Sequence, residues 1–385
     1  MDEADRTVHA TRAWRVLDTP VPRRLDLLAD PGHPDSWALH GAARVLQASA
    51  LDADGHDDRA VGVRALGASL QEQQYSRRHR LVVVDADVTA PQADDVVGTA
   101  FVVLPQHSNQ HLTEISLAVR PGDRGRGAGT ALLEAAESLA LAAGRSTLLV
   151  ETEHRGEPAA GAPGVLEPAS GAGRIRADEP GARLCRNRGY VLEQAARYSV
   201  LDLPVAPTHL GRLHDDAAAR AGSAYRLVSW QDRAPEERLA DWALLETRMS
   251  TDDPLAGIDY REDPWDAERL RRYEEQVAAA GRGYLAVAAE HVATGVLAGF
   301  TLVQWEHDRP PAVLQDSTIV LAEHRGHRLG MLVKAGLLLR LAEARPEARR
   351  VHTWNAEENA FMLAINVALG FRPAGVSGEW QKRLG

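Results

Sequence analysis

Apolar and polar positions along the chain form short β-branched runs and longer Ala/Leu-rich runs, in an order that occurs twice. In the first half, "HRLVVVDA" (79–86), "DVVGTAFVVLP" (95–105) and "LTEISLAVRP" (112–121) are Val/Leu/Ile-rich and separated by turn residues, which predicts three strands. The turn "RGRGAG" (124–129) follows. Then Leu132, Leu133, Ala136, Leu139, Ala140 and Ala143 keep helical spacing, and Gly144 is placed to end that helix. "STLLVETE" (146–153) reads as a strand, "ARLCRNRG" (182–189) as a short helix and "ARYSVLDLP" (196–204) as a closing strand.

The second half repeats this order. "AYRLVSW" (224–230) opens it, and two polar helices are expected over 234–249 and 265–280. Strands are predicted at 283–291, 295–306 and 313–324, before the turn "RGHRLG" (325–330) and a helix over 331–344. A strand (350–356), a helix (358–371) and a last strand (376–384) complete the copy. Self-similarity on this scale predicts two units, 1–205 and 224–385, joined by a linker at 206–223. The copies differ in one spacing: Gly129 to Gly189 is 60 residues, whereas Gly330 to Gly370 is 40. The surplus falls in 156–181, where ten of 26 residues are Gly or Pro; this composition predicts a mobile surface loop dispensable for folding.

Composition narrows the class. The 385 residues exceed what one core usually fills. No apolar run approaches the roughly 20 residues of a membrane span. The opening "MDEADRTVHATRAW" has mixed charge and no apolar core, unlike a secretory signal. Cys185 is the only cysteine, so no internal disulfide forms, and a reducing, cytoplasmic setting is expected. The net charge of −10 argues against a nucleic-acid backbone as partner. Lysine occurs only at 334 and 382 while arginine is abundant, a bias of GC-rich genomes that points to an actinobacterial source.

A strand, a glycine-rich turn and a helix N-terminus together make an anion site, because the first helical N–H groups lack internal partners and glycine lets a phosphate approach the backbone. Neither copy is followed by Lys-Ser/Thr, and neither has dinucleotide-type glycine spacing. Arg-x-x-Gly-x-Gly at Arg124, Gly127 and Gly129 instead resembles the pyrophosphate-binding turn of the GNAT acyltransferase superfamily. The surrounding order also resembles the GNAT core: three strands before the turn, then helix, strand and helix, ending in Gly189-Tyr190 or Gly370-Phe371. The layout is similar to that of the mycothiol synthase family. The resemblance implies an α/β fold: two tandem GNAT units, each a splayed, mostly antiparallel mixed sheet flanked by helices. It implies acetyl-CoA as co-substrate, no metal, and direct attack by the amine of a small molecule. A monomer or homodimer, with neither nucleic acid nor membrane as partner, fits this reading.

Carried onto this chain, the resemblance assigns Val119, Arg124, Gly125, Arg126, Gly127, Ala128 and Gly129 to acetyl-CoA in the first half. Val320, Arg325, Gly326, His327, Arg328, Leu329 and Gly330 are their counterparts, with Arg328 replacing the first loop glycine. Asn359 matches a pantetheine or pyrophosphate contact, or else caps its helix. The family's tyrosine proton donor is replaced by Cys185 and by Asn366, which can hydrogen-bond the sulfur. Asn355, at a strand end facing the acyl group, is a candidate oxyanion or substrate contact. Asp316 is the candidate base. Simple alternation places it and Glu114 on opposite faces unless a bulge intervenes. His324 and His327 form H-x-x-H without an evident third ligand. Trp305, Trp354 and Trp380 are candidates for a pocket wall. The retained Asp316, Asn355 and Asn359 make the second half the expected catalytic one. A chemically reduced acyl-CoA sensor or scaffold is the competing class; an aminoacyl-tRNA-dependent transferase fits the acidic charge poorly.

Overall fold

The computed structural model describes residues 13–309 and 311–384; the opening segment read above for signal character lies, through residue 12, outside them. The first half contains β1 (Trp14–Asp18), α1 (Trp37–Asp54), α2 (Val63–Gln71), β2 (Ser76–Asp85), β3 (Gly98–Pro105), β4 (Leu112–Val119), α3 (Ala128–Ala142), β5 (Thr147–His154), the short pair β6 (Val165–Leu166) and β7 (Ile175–Arg176), α4 (Pro180–Asn187) and β8 (Val191–Asp202). Helix α5 (Pro207–Ala221) leads into the second half: β9 (Tyr225–Gln231), α6 (Leu239–Asp252), α7 (Ala267–Ala279), β10 (Arg282–His291), β11 (Leu297–Glu306), β12 (Ala312–Val320), α8 (Leu329–Ala344), β13 (Arg350–Ala356), α9 (Ala360–Leu369) and β14 (Arg372–Arg383). Among the described residues no helix is long and apolar enough to cross a membrane.

Twelve strands form one sheet in the order β1-β2-β3-β4-β5-β14-β8-β13-β12-β11-β10-β9. The centre is an exchange. The last strand of the second half, β14, lies beside β5 of the first; the last strand of the first half, β8, lies beside β13 of the second. The two exchanged strands pair antiparallel with each other. Four apolar clusters cover the sheet, two per half. Helix α3 packs on the face carrying Leu81, Val83, Val102 and Ile115, while α1 and α2 cover Val82 and Val84 on the other. In the second half α5 and α8 cover one face, and α6 and α7 the other.

Strands β4 and β5 are parallel but pair only over Leu112–Ile115 and Thr147–Val150. Beyond that point they part, leaving a gap between Ser116–Val119 and Glu151–His154. Strands β12 and β13 pair only over Ala312–Leu314 and Arg350–His352, then part in the same way. The intervening bulge does occur: opposite β11, the register of β12 shifts between the pairs Thr301–Thr318 and Val303–Gln315. An extra residue at Asp316–Ser317 turns Asp316 toward the α6/α7 face, where it meets Tyr273 of α7.

The expected linker at 206–223 is mostly helical: α5 spans most of it and buries Leu210, Ala217 and Ala221 with α8 residues. One sequence expectation is corrected here. Residues 156–181 are not a free loop. Strands β6 and β7 pair as a hairpin, and Ile175 is fully buried in the first half's core with Val150, Ala195 and Trp380. Gly/Pro density lowered the average hydrophobicity of the segment, but one well-placed isoleucine anchors it. Ile175→Ala should therefore cost about 2–5 kcal/mol, read as a lower denaturation midpoint; an unchanged midpoint would return the segment to a free loop.

Candidate active site

The glycine turns have corresponding scaffolds. Arg124 Nε donates to the Val119 carbonyl at 3.0 Å, and its Nη1 pairs with Asp52 of α1 at 2.7 Å. Arg325 does the same to Val320 at 3.1 Å and to Asp252 of α6 at 2.7 Å. Both side chains thus cap the last carbonyl of a parted strand and tie it to a helix end, which leaves backbone N–H groups as the turn's anion donors. Gly125 and Gly127 take φ of +76° and +93°, a region glycine reaches without a Cβ penalty. The N–H groups of Gly125, Gly127, Ala128 and Gly129 make no hydrogen bond among the described residues. Trp14 of β1 braces the turn by donating to the Arg126 carbonyl at 2.7 Å.

In the second copy Arg328 holds the corresponding left-handed position, φ +58°, with the strain a side chain brings there. Around it Tyr225 replaces Trp14, its hydroxyl 2.9 Å from His324 Nδ1 and its ring 5.3 Å from that of His327. Burial lowers the His324 pKa, with His291 adding to the effect. Among the described residues no three His, Cys, Asp or Glu groups are arranged to hold a metal ion.

A cleft of about 950 Å³ opens in the first half. It starts at Arg124, Gly125, Gly127 and Gly129, passes through the gap beside Val119, and reaches Glu151, Glu153, Ser377, Tyr198 and Trp354. Helices α1 and α4 form its sides, the latter with Leu184 and Cys185. Burial pushes the Cys185 thiol up to about 12, so it stays protonated at neutral pH.

At the inner end Glu151 of β5 and Glu379 of β14 are directly opposed across the exchanged strand pair. Ser377 Oγ bridges them, 2.7 Å from Glu151 Oε1 and 3.0 Å from Glu379 Oε1. Burial and the Glu151 charge push Glu379 up to about 8; burial also raises Glu151. Both shifts favour a proton retained on the pair toward neutral pH. Glu114 of β4 is likewise raised by burial, with Asp263 adding to it. Nearby, Arg59 is held by Asp54 at 2.7 Å and by Glu153, over the stacked rings of Tyr198 and Trp354.

The expected second-half residues are only partly brought together. Asp316 accepts from Tyr273 Oη at 3.1 Å and Gln304 Nε2 at 2.6 Å, and burial raises its pKa. Asn366 is buried and donates to Asn355 Oδ1 at 2.6 Å. Neither asparagine contacts Asp316 among the described residues. Asn359 caps α9, accepting from the Met362 N–H at 3.1 Å, and also donates to Asp253. A Cβ at Gly330 would stand 3.0 Å from Ile365 of α9, whereas one at Gly129 would have 3.5 Å to Leu184. Of the tryptophans, Trp354 does wall the cleft, while Trp305 and Trp380 are buried. Glu151, Ser377 and Glu379 escaped the sequence reading because the strand joining them comes from the other end of the chain.

Each half also covers the other. The segment between α1 and α2 places Asp58 on Arg350 (2.5 Å) and His352 (3.1 Å) of β13. The segment between α6 and α7 pairs Arg261 reciprocally with Asn109, at 2.8 and 2.9 Å, and Asp259 with Gln381 at 2.7 Å.

The sequence profile of the Acetyltransferase (GNAT) family matches residues 55–162, which include the first turn. A tandem GNAT protein from the clavulanic acid biosynthesis pathway is 25% identical and superposes with a TM-score of 0.69, over 97% of this chain and 99% of that one. A GCN5-related N-acetyltransferase from Sphaerobacter thermophilus, 16% identical, shares the fold with a TM-score of 0.56, over 97% and 96% of the two chains. No curated protein matches the sequence. The first half carries a GNAT acetyltransferase domain, and the chain as a whole has the tandem GNAT fold.

The carboxylate pair makes a pH-dependent prediction. Between the ordinary carboxylate range and about pH 8 the folded protein holds a proton that the unfolded chain releases, so stability falls as pH rises through this window. Glu379→Gln removes that cost. Its thermal midpoint should exceed the wild type's by roughly 1–3 °C at pH 8 and match it near pH 4; equal offsets at both pH values would show that the two carboxylates do not share a proton.

Proposed function

We propose that the protein is an acyl-CoA-dependent N-acyltransferase whose working site is the first-half cleft, with acetyl-CoA as co-substrate and a small-molecule amine as acceptor. The observation that carries this reading is the continuity of the cleft from the unpartnered N–H groups of the turn to Glu151, which Ser377 joins to Glu379. The pyrophosphate lies against Gly125–Gly129 at the N-terminus of α3. The pantetheine arm lies in the gap between β4 and β5, where unpaired backbone groups of Ser116–Val119 await a partner. The thioester then reaches the parting point beside Glu151. The tandem relative belongs to a small-molecule biosynthesis pathway, which supports a small-molecule acceptor.

The reaction asks little of the side chains. An ammonium gives a proton to the ionised member of the Glu151–Glu379 pair. The free amine attacks the thioester carbon, the new C–N bond forms as the C–S bond breaks, the acylated nitrogen releases its second proton to solvent, and the departing thiolate takes a proton from solvent. The raised pKa values bring the pair closer to a working base at neutral pH than an ordinary carboxylate. This assignment reverses the sequence expectation, in which Asp316 of the second half was the base: the acceptor chemistry follows the open cleft.

Two measurements test it. Gly127→Glu places a side chain and a negative charge where phosphate would lie, so calorimetry should show acetyl-CoA affinity lowered by an order of magnitude or more; unchanged binding would remove the turn from the site. Glu151→Gln should lower turnover by about 10²–10⁴-fold with acetyl-CoA affinity retained, whereas Asp316→Asn should leave most activity. The opposite ranking would return catalysis to the second half.

A further inference from the structure

One charged side chain of the cleft is not accounted for by this chemistry. Arg80 lies on β2 within "RLVVVD", on the face it shares with Val82 and Val84. It is 6% exposed and lines the cleft with Thr99, Ser116 and Ala118. Its guanidinium stacks over the Phe101 ring at 4.4 Å and makes no hydrogen bond or ion pair among the described residues; its Nε is a buried donor without an acceptor. Burial alone lowers its pKa, to about 9, which leaves it cationic at neutral pH.

The neighbouring charges are matched. Asp52 is paired with Arg124 and Arg155, and Arg59 with Asp54 and Glu153. Farther along the same face, burial and Asp263 raise Glu114 against the opposing charge of Arg78, not of Arg80. A buried cation without a counter-charge is costly and persists where something else supplies the anion. The repeat provides an internal comparison. Arg80 pairs with Phe101, and at the corresponding register of the second half Ala286 pairs with Leu302. A packed core at this strand position needs only an alanine, so the arginine belongs to the half that has the open cleft.

We propose that Arg80 binds a carboxylate carried by the acceptor, so that the substrates of this enzyme are amino acids or other amines bearing a carboxylate. This rests on the acyltransferase reading above and deepens it. The planar guanidinium fork matches a carboxylate in a bidentate geometry. The ring of Phe101 holds it flat, and Thr99 and Ser116 add hydroxyls to the lining. The carboxylate end of the acceptor is held on the β2 side, and its ammonium faces the Glu151–Glu379 pair across the gap. Where the strands still pair, three spacings separate β2 from β5, about 14 Å between backbones; the parting of β4 and β5 widens this further, leaving room for one small amphoteric molecule between two long side chains.

The test uses matched amines, each as a free carboxylate and as its carboxamide: glycine, alanine, β-alanine and glutamate with their amides. Turnover is followed by CoA release, and binding to the CoA-loaded protein by calorimetry. Wild type should prefer the carboxylate members in both assays. Arg80→Met should weaken that preference by roughly tenfold to a hundredfold, as expected for a hydrogen-bonded ionic contact; Arg80→Lys should fall between the two. Because Arg80→Met removes an unpaired buried charge, its thermal midpoint should equal or exceed the wild type's. Equal treatment of carboxylates and carboxamides by wild type, or binding of no member of either set, would overturn the proposal even if a variant failed to fold. A succinyl-CoA arm separates the other source of a carboxylate: if Arg80→Met abolishes a preference for succinyl-CoA over acetyl-CoA and leaves the amines unaffected, the acceptor assignment is overturned. Loss of acetyl-CoA binding by wild type would instead defeat the underlying acyltransferase reading.

Discussion

The parting of two parallel strands governs the rest of the structure. Once β4 and β5 stop pairing after Ile115 and Val150, the facing backbone edges lose their ladder partners inside a folded domain. Such groups are expensive to leave unmade. The protein satisfies one of them itself, the Val119 carbonyl, through Arg124. The others line the open cleft between the two strands. The turn, the start of α3 and the carboxylates at the gap's inner end are all fixed relative to that opening, because each is attached to one of the two strands that form it.

The repeat shows the same frame turned to two ends. Both halves keep the parting, the arginine cap and the acidic residue that anchors it. At the inner end, however, the first half opposes Glu151 to Glu379, while the corresponding register of the second opposes Trp354 to Tyr198 as an aromatic stack. Gly127 has Arg328 as its counterpart, and the wider approach at Gly129 becomes a tight one at Gly330 beside Ile365. The strand-end cap is shared by both halves, while the inner-end residues differ.

Much of this frame was legible in the sequence. The two turns, the three strands before each and the helix after each are local patterns, and local patterns survive folding. The bulge at Asp316–Ser317 was legible as a condition, since polar residues interrupt an apolar strand there. The exchange of β8 and β14 was not legible. Strand propensity says that a segment will pair, not with which edge, and both last strands suit either half. The Glu151–Glu379 pair was hidden for that reason. Ile175 was hidden by the glycines and prolines around it. Arg80 did leave a trace: with Val82 and Val84 it forms a period-2 row, and a cation in an otherwise apolar row is an anomaly whose partner lies outside the pattern. Helices α1 and α2 were passed over because their buried faces rely on alanine and glycine as much as on larger residues.

The exchange at the centre of the sheet also constrains how the protein is made. As the chain leaves the ribosome, β5 is exposed long before the strand that covers it has been translated, because β14 comes after every other strand. The first half therefore waits, with an unpaired edge on β5, for the whole of the second half to appear. The carboxylate pair forms only after β14 has been made. A truncated product lacking β14 would retain the glycine turn without Glu379 and Ser377, so the turn and the carboxylate pair are completed at different points of synthesis.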